Sequence, residues 1–179
     1  MHHGALSPKY VPLALLLTVS GLVVEPFAWL QSLIYGRRIQ ACACPDVPVV
    51  VIGYWRSGTA YLHQLLAADP AAASARNHFT IAPQAALVLK PLLMSLLQRL
   101  MTQHCPIDAV PWGAEDPQED EVGSARLTVD THMAGIAFPL NYPRHFCRAV
   151  LNSTPEFEQT LLHFTRLTWL HEGAGKTNW

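Results

Sequence analysis

Two apolar runs dominate the start of the chain. Residues 11–24 carry no charged side chain, Glu25-Pro26 interrupts, and residues 27–35 resume the apolar pattern before Gly36-Arg37-Arg38. A spanning helix needs roughly 20 apolar residues, so residues 11–24 alone are short. Read through Glu25-Pro26 the stretch is long enough, but a charge and a helix breaker then lie near its centre. A signal peptide asks for positive charge before the apolar run and small residues at a cleavage site after it; Lys9 meets the first demand and nothing clearly meets the second. The pattern therefore predicts two buried or peripheral helices, with a membrane anchor or a signal peptide as alternatives. Gly36 reads as a helix C-cap, followed by a linker through Pro45 and Pro48.

Val49-Val50-Val51-Ile52 is a short β-branched run bounded by Pro48 and Gly53, the pattern of a strand buried on both faces of a parallel sheet. After the polar turn Tyr54-Trp55-Arg56-Ser57-Gly58-Thr59, leucines at 62, 65 and 66 set a helical period that predicts a helix from Thr59 to about Ala68, stopped by Asp69-Pro70. Residues 84–103 are leucine-rich at helical spacing, with Pro91 predicting a kink or a split. Prolines 106, 111 and 117 with Gly113 predict a loop. The acidic cluster Glu119-Asp120-Glu121 suits the positive end of a helix running to about Ala137. Ser153-Thr154-Pro155-Glu156 starts a last helix that Gly173 stops.

Composition narrows the classes. The 179 residues are 50% hydrophobic and 14% charged, with 12 Lys+Arg against 13 Asp+Glu. Low hydrophobicity with high net charge, the mark of disorder, is absent. A nucleic-acid partner held by bulk charge is excluded, since there is no basic excess. Cys42, Cys44, Cys105 and Cys147 fit no zinc spacing and read as free, mostly buried thiols. His163 and His171 share a predicted helix but lack a third ligand, so no metal is expected. Gly175-Lys176-Thr177 resembles the end of a Walker A loop, but Leu170 stands where its first glycine should be and a helix precedes it.

The chemistry concentrates in the predicted strand–turn–helix. The first N–H groups of a helix have no intrahelical partner, and the helix dipole adds positive potential there. Gly58 allows close backbone approach, while Arg56, Ser57 and Thr59 add a cation and two hydroxyls around the same point. A phosphate or sulfate suits such a place. The plainer reading is a structural turn with Arg56 on the surface.

From Pro48 through Arg56-Ser57-Gly58-Thr59-Ala60 to Leu66, the chain resembles the 5′-phosphosulfate-binding loop of sulfotransferases, in the branch that carries Arg-Ser-Gly-Thr. A second stretch, Pro106-Ile107-Asp108 through Trp112-Gly113 to Asp116-Pro117-Gln118-Glu119-Asp120-Glu121, resembles the Pro-Gln-Glu-Asp-Glu segment of many bacterial-type members, as does Tyr35-Gly36-Arg37-Arg38 before the strand. The resemblance implies an α/β fold, a P-loop-kinase-like parallel sheet with many helices, incomplete because C-terminal strands are absent. Residues 1–47 would be N-terminal helices and a linker, and residues 48–179 the N-terminal part of a sulfotransferase domain.

It further implies 3′-phosphoadenylyl sulfate (PAPS) as donor and an acceptor hydroxyl or amine on a small molecule, lipid or carbohydrate. Donor binding would fall to Arg56, Ser57, Gly58, Thr59 and Ala60, with Arg56 also catalytic and Glu119 or Glu121 as base, Asp120 being third choice. A cytoplasmic location follows, with membrane contact through residues 11–35. Ala60 departs from the family, where a second threonine is usual. A Lys-Ser/Thr-Pro strand and the later 3′-phosphate residues are not found before Trp179, so this chain by itself is expected to be weak or inactive. Two other classes compete: a membrane-associated helical binding protein without catalysis, and a P-loop-like nucleotide kinase.

Overall fold

One helix stands where the sequence predicts two. The computed structural model describes residues 8–44, 48–51, 53, 57–101, 112–137 and 139–177. A short 3₁₀ turn, Pro8–Tyr10, leads directly into α1, Val11–Gln40, which runs through Glu25-Pro26 without a break and past Gly36 to an Ala41 C-cap. A proline inside a helix costs one backbone bond. The packing of residues beyond it carries the helix across. The first half is not buried: Leu15, Leu16, Leu22 and Val23 are all at least 60% exposed. The expectation of a buried helix at residues 11–24 is thereby corrected.

The remaining elements are α2 (Thr59–Ala67), α3 (Asn77–Thr80), α4 (Ala86–Leu100), α5 (Asp120–Ser124), α6 (His132–Ala137), a 3₁₀ turn (Pro139–Asn141), α7 (Tyr142–Phe146), a π-helical turn (Cys147–Leu151) and α8 (Pro155–Glu172). Among the described residues none lies in a β-strand; Arg76 and Pro117 form an isolated antiparallel bridge. The α/β fold with a P-loop-kinase-like parallel sheet is therefore corrected to a helical one. Val49-Val50-Val51 is irregular backbone, with Val49 56% and Val50 68% exposed, while Ile52 lies outside the described residues. A parallel strand exists only through bonds to neighbouring strands, and β-branched composition cannot replace them.

The core gathers Ile39 of α1, Phe79 of α3, Leu89 and Leu93 of α4, and Phe164 and Leu167 of α8, filled out by Ala75, Ala82, Ala85 and Ala86. The second half of α1 thus packs with α4 and α8. Gln31 locks this junction. It is 3% exposed; its Nε2 donates to Pro83 O at 2.9 Å and its Oε1 accepts from Leu87 N at 2.8 Å.

The leucine spacing places α2 and α4 correctly, and α4 remains one helix across Pro91. At α8 the N-cap is Thr154, whose hydroxyl accepts from Phe157 N at 3.2 Å; Ser153 instead donates to Glu158 at 2.5 Å. The helix predicted from Glu119 to Ala137 is split into α5 and α6. Thr128 Oγ1 accepts from Asp130 N between them, a local bond that competes with helix continuation. Asp130, only 6% exposed, then ties this turn to the start of α8 by accepting from Arg148 at 2.9 Å and Thr154 at 3.0 Å.

Lys176, of the Walker-like tripeptide, donates to Ala72 O at 2.7 Å. Cys147 is exposed rather than buried, Cys42 and Cys44 are half-buried, and Cys105 lies outside the described residues.

Candidate active site

Gly58 takes φ +90° and is the N-cap of α2, so the turn into the helix is left-handed, a conformation that favours glycine. Among the described residues no side chain caps this N-terminus. The helix ladder begins at Leu62 N, which donates to Gly58 O at 3.0 Å. The chain also doubles back tightly: a Cβ on Gly53 would fall 2.4 Å from Thr59 Cγ2 and 3.0 Å from Ser57 Oγ. A side chain at residue 53 would force Thr59 or Ser57 to shift. Among the described residues nothing lies within 4 Å of a Cβ built on Gly58. That arrangement fits an anion: a glycine-opened turn, uncapped amides and the positive end of the dipole. Thr59 and Ala60 are half-buried in the first turn and Ser57 is exposed; Arg56 lies outside the described residues.

The acidic segment is fixed by an adjacent strip of backbone. Asn77 N donates to Asp116 O at 3.0 Å, His78 N to Ala114 O at 2.9 Å, and Gln118 N to Ala75 O at 2.9 Å. Side chains add to this: Asn77 Nδ2 donates to Gly113 O and Gln118 Nε2 to Asn77 Oδ1, each at 2.8 Å, while Gly113 N donates to Asp116 Oδ2 at 2.5 Å. Asp116 and Gln118 thus hold the turn that delivers Glu119, Asp120 and Glu121. Glu119 sits at the N-cap of α5, its N–H given to Gln118 Oε1 at 2.9 Å. Glu121 pairs with His132 Nδ1, and this bond raises the His132 pKa against the opposing effect of burial.

Residues 48–172 match the model of the Sulfotransferase family. The chain belongs to the sulfotransferase family.

Two curated sulfotransferases align with it. Both are the omega-hydroxy-beta-dihydromenaquinone-9 sulfotransferase Stf3, from Mycobacterium bovis and Mycobacterium tuberculosis. Each is 28% identical over 132 residues, which cover 74% of this chain and 34% of the relative. The chain spans about a third of the length of these curated relatives. No solved structure gives a significant match.

In this chain a cavity of about 120 Å³ opens along the flank of α2. Val49 and Val51 wall it on one side, His63 and Leu66 on another, with Ser74 and Asp120 contributing polar atoms. The structure therefore brings Asp120, the third choice among the acids, to α2. Glu119 and Glu121 do not line the cavity, and neither do residues 57–60. Burial pushes the His63 pKa down, with the Arg76 charge adding to it, so the ring is neutral at pH 7. Ser74 Oγ is buried with no hydrogen-bond partner among the described residues.

Sequence reasoning missed His63 and Ser74. For His63 a signal existed: it lies four residues after Thr59, one turn along the same helix, among leucines. Ser74 gave none. Its place depends on the turn after α2, where Asp69 Oδ1 accepts from Ala71 N at 2.8 Å.

Proposed function

We propose that this chain carries the donor-binding part of a PAPS-dependent sulfotransferase acting on an acceptor hydroxyl or amine, with residues 48–179 as the transferase portion and residues 1–47 preceding it. The observation that carries the reading is the uncapped, glycine-turned N-terminus of α2 lying inside the region that matches the family. Arg56, Ser57, Gly58, Thr59 and Ala60 would hold the 5′-phosphosulfate. PAPS supplies the sulfuryl group and a bisphosphate leaving group. Backbone amides at a helix start and the Arg56 guanidinium suit anionic oxygens, and Thr59 and Ser57 offer hydroxyl donors.

Among the acids, Asp120 is the candidate to accept the acceptor's proton, since it faces the cavity beside α2. Glu121 is occupied by His132, which suits it to holding α5 in place, and Glu119 sits at the N-cap. The relatives' names specify an omega-hydroxylated menaquinone, which is a lipid alcohol. We extend the lipid class to this chain's acceptor, with the transferase on the cytoplasmic side of a membrane.

The test is ligand stabilisation followed by turnover. 3′-Phosphoadenosine 5′-phosphate should raise the melting temperature saturably while ATP does not. Labelled PAPS incubated with a panel of lipid and soluble alcohols should transfer label to a lipid alcohol. Equal stabilisation by ATP would instead favour a nucleotide kinase. Stabilisation by neither, with no transfer, would leave a helical binding protein.

A further inference from the structure

We infer that residues 11–24 of α1 insert into the hydrocarbon of a lipid bilayer, while residues beyond Glu25 fasten the folded domain to that insert. The stretch is apolar around its whole circumference: Leu13, Leu15, Leu16, Leu17, Val19, Leu22 and Val23 are all more than half exposed. At 100° per residue these positions cover about 220° of the circumference, and Val11, Ala14, Thr18 and Gly21 occupy the remaining arc. A helix made for a protein groove, or for lying flat at an interface, has one apolar stripe and one polar face. This one has no polar face. Helix α1 is long and apolar enough to cross a membrane, and its most apolar part is not covered by the rest of the chain.

The polar atoms of the stretch are arranged for a medium without water. Its hydroxyl side chains, Thr18 and Ser20, donate back to Ala14 O and Leu17 O, each at 2.8 Å. Hydrocarbon demands such internal satisfaction. At the outer end Lys9 lies over the Tyr10 ring, 4.8 Å from its centroid, a pairing suited to headgroups. At the domain end stand Glu25 and the exposed Trp29. Residues 11–24 are about 21 Å long at 1.5 Å per residue, so they reach deep into the roughly 30 Å of a hydrocarbon core, with Tyr10 and Trp29 flanking them.

A cleaved leader would be separable from the fold. Here the same helix continues into Gln31, clamped to Pro83 and Leu87, and Ile39, which is 2% exposed in the core. The anchor is a rigid extension of the domain, fixing how the domain faces the lipid. The inference does not depend on the donor chemistry, so its failure would leave the sulfotransferase reading standing.

Flotation decides it. The full chain, purified in detergent and mixed with phosphatidylcholine vesicles during detergent removal, should rise with the lipid in a density gradient. It should stay there at about 1 M salt, where the screening length is near 3 Å. A Leu16→Asp/Val19→Asp variant should leave at least about tenfold less protein in the lipid layer. Gln40→Asp, which adds a charge at the exposed far end of α1, should float like the parent. Release of the parent by salt, flotation of the double variant, or a lipid-free oligomer that vesicles do not dissociate would each overturn the inference. So would removal of residues 1–24 by cleavage when the chain is made in bacterial cells.

Discussion

Gly123 of α5 lies flat against the ring of Phe164 of α8: a Cβ on Gly123 would fall 2.3 Å from Phe164 Cε2 and Cζ. Phe164 is fully buried, so its ring has nowhere to go. Gly123→Ala should destabilise the fold by about 1–3 kcal/mol through overpacking. The damage should also reach the acidic turn, because Glu121 is two residues away in the same helix. Denaturant unfolding of G123A and of G123A/F164L checks this: the smaller side chain should restore most of the loss. An unchanged midpoint in G123A would mean that the two helices are not closely packed.

Gln31→Leu should remove the clamp between α1 and the start of α4. Leu87 N would lose its part-buried partner and Pro83 O would keep only the long contact from Ala86 N at 3.5 Å, a loss of about 1–3 kcal/mol. The expected outcome is a lower unfolding midpoint and faster amide exchange at Leu87. Unaltered exchange there would show that the Gln31 bonds contribute little.

These two contacts show why the sequence was legible in some places and silent in others. Helices α2 and α8 declare themselves locally, through leucines three and four apart and through Thr154-Pro155 at a helix start. The valine run at 49–51 looked like a strand because buried strands are β-branched, but pairing partners, not composition, make a strand. The proline at 26 looked like a boundary, yet whether a helix crosses a proline is settled by the packing beyond it, here Gln31 and Ile39.

The acidic segment drew attention for its charges. The residues that position it are Asn77, Gln118 and Asp116, and their partnership spans some forty positions, as between Gln118 and Asn77 with 41. No local pattern reveals that. Asp120 reaches the cavity beside α2 and Glu121 meets His132 for the same reason: the turn that aims them is built by a distant segment.

Glu172 should govern stability in acid. His171 Nδ1 sits 3.0 Å from its Oε1, off the hydrogen-bonding direction, and Arg76 and Lys176 each approach its Oε2 to 3.7 Å. His171 foremost, then Arg76 and Lys176, hold the Glu172 pKa at about 2 against the opposing effect of burial. A folded pKa below the unfolded value means that the stabilisation is fully present above about pH 4.5 and is lost as pH falls toward 2. Its ceiling is about 3 kcal/mol at 1.36 kcal/mol per unit, less what solvent screens. Glu172→Gln should therefore be less stable than the parent at pH 7 and converge with it near pH 2. Parallel pH–stability curves for the two proteins would show that the carboxylate is not the group responsible.

His132 has the opposite sign. Its pKa is raised by the bond to Glu121, so the stabilisation is present below the ordinary histidine value and lost as pH climbs through the raised one. Titration of the His132 ring by NMR should give a midpoint above about 6.5 in the parent and close to that value in Glu121→Gln. A midpoint that does not move on this substitution would break the link between α5 and α6 described above.

The start of α2 offers a prediction that runs in both directions. Ala60 stands one residue into the helix, half-buried, where the resemblance leads one to expect a second threonine. Ala60→Thr would add one hydroxyl beside the uncapped N–H groups. A hydrogen bond to a charged group contributes about 1.5–3 kcal/mol, and 1.4 kcal/mol is a factor of ten in affinity. If the loop holds the donor's 5′ end, A60T should tighten binding of 3′-phosphoadenosine 5′-phosphate about tenfold. Gly58→Ala should do the reverse. Its Cβ meets no atom of the described residues within 4 Å, but φ +90° is costly for any residue with a side chain. The turn should relax away from that angle and carry the amides with it, weakening the same ligand while melting within a few degrees of the parent. Calorimetric titration of both variants reads the two shifts directly. Opposite shifts in affinity at nearly constant stability are what a ligand-facing loop demands. A loss of stability in G58A with no change in affinity for either variant would make the turn purely structural.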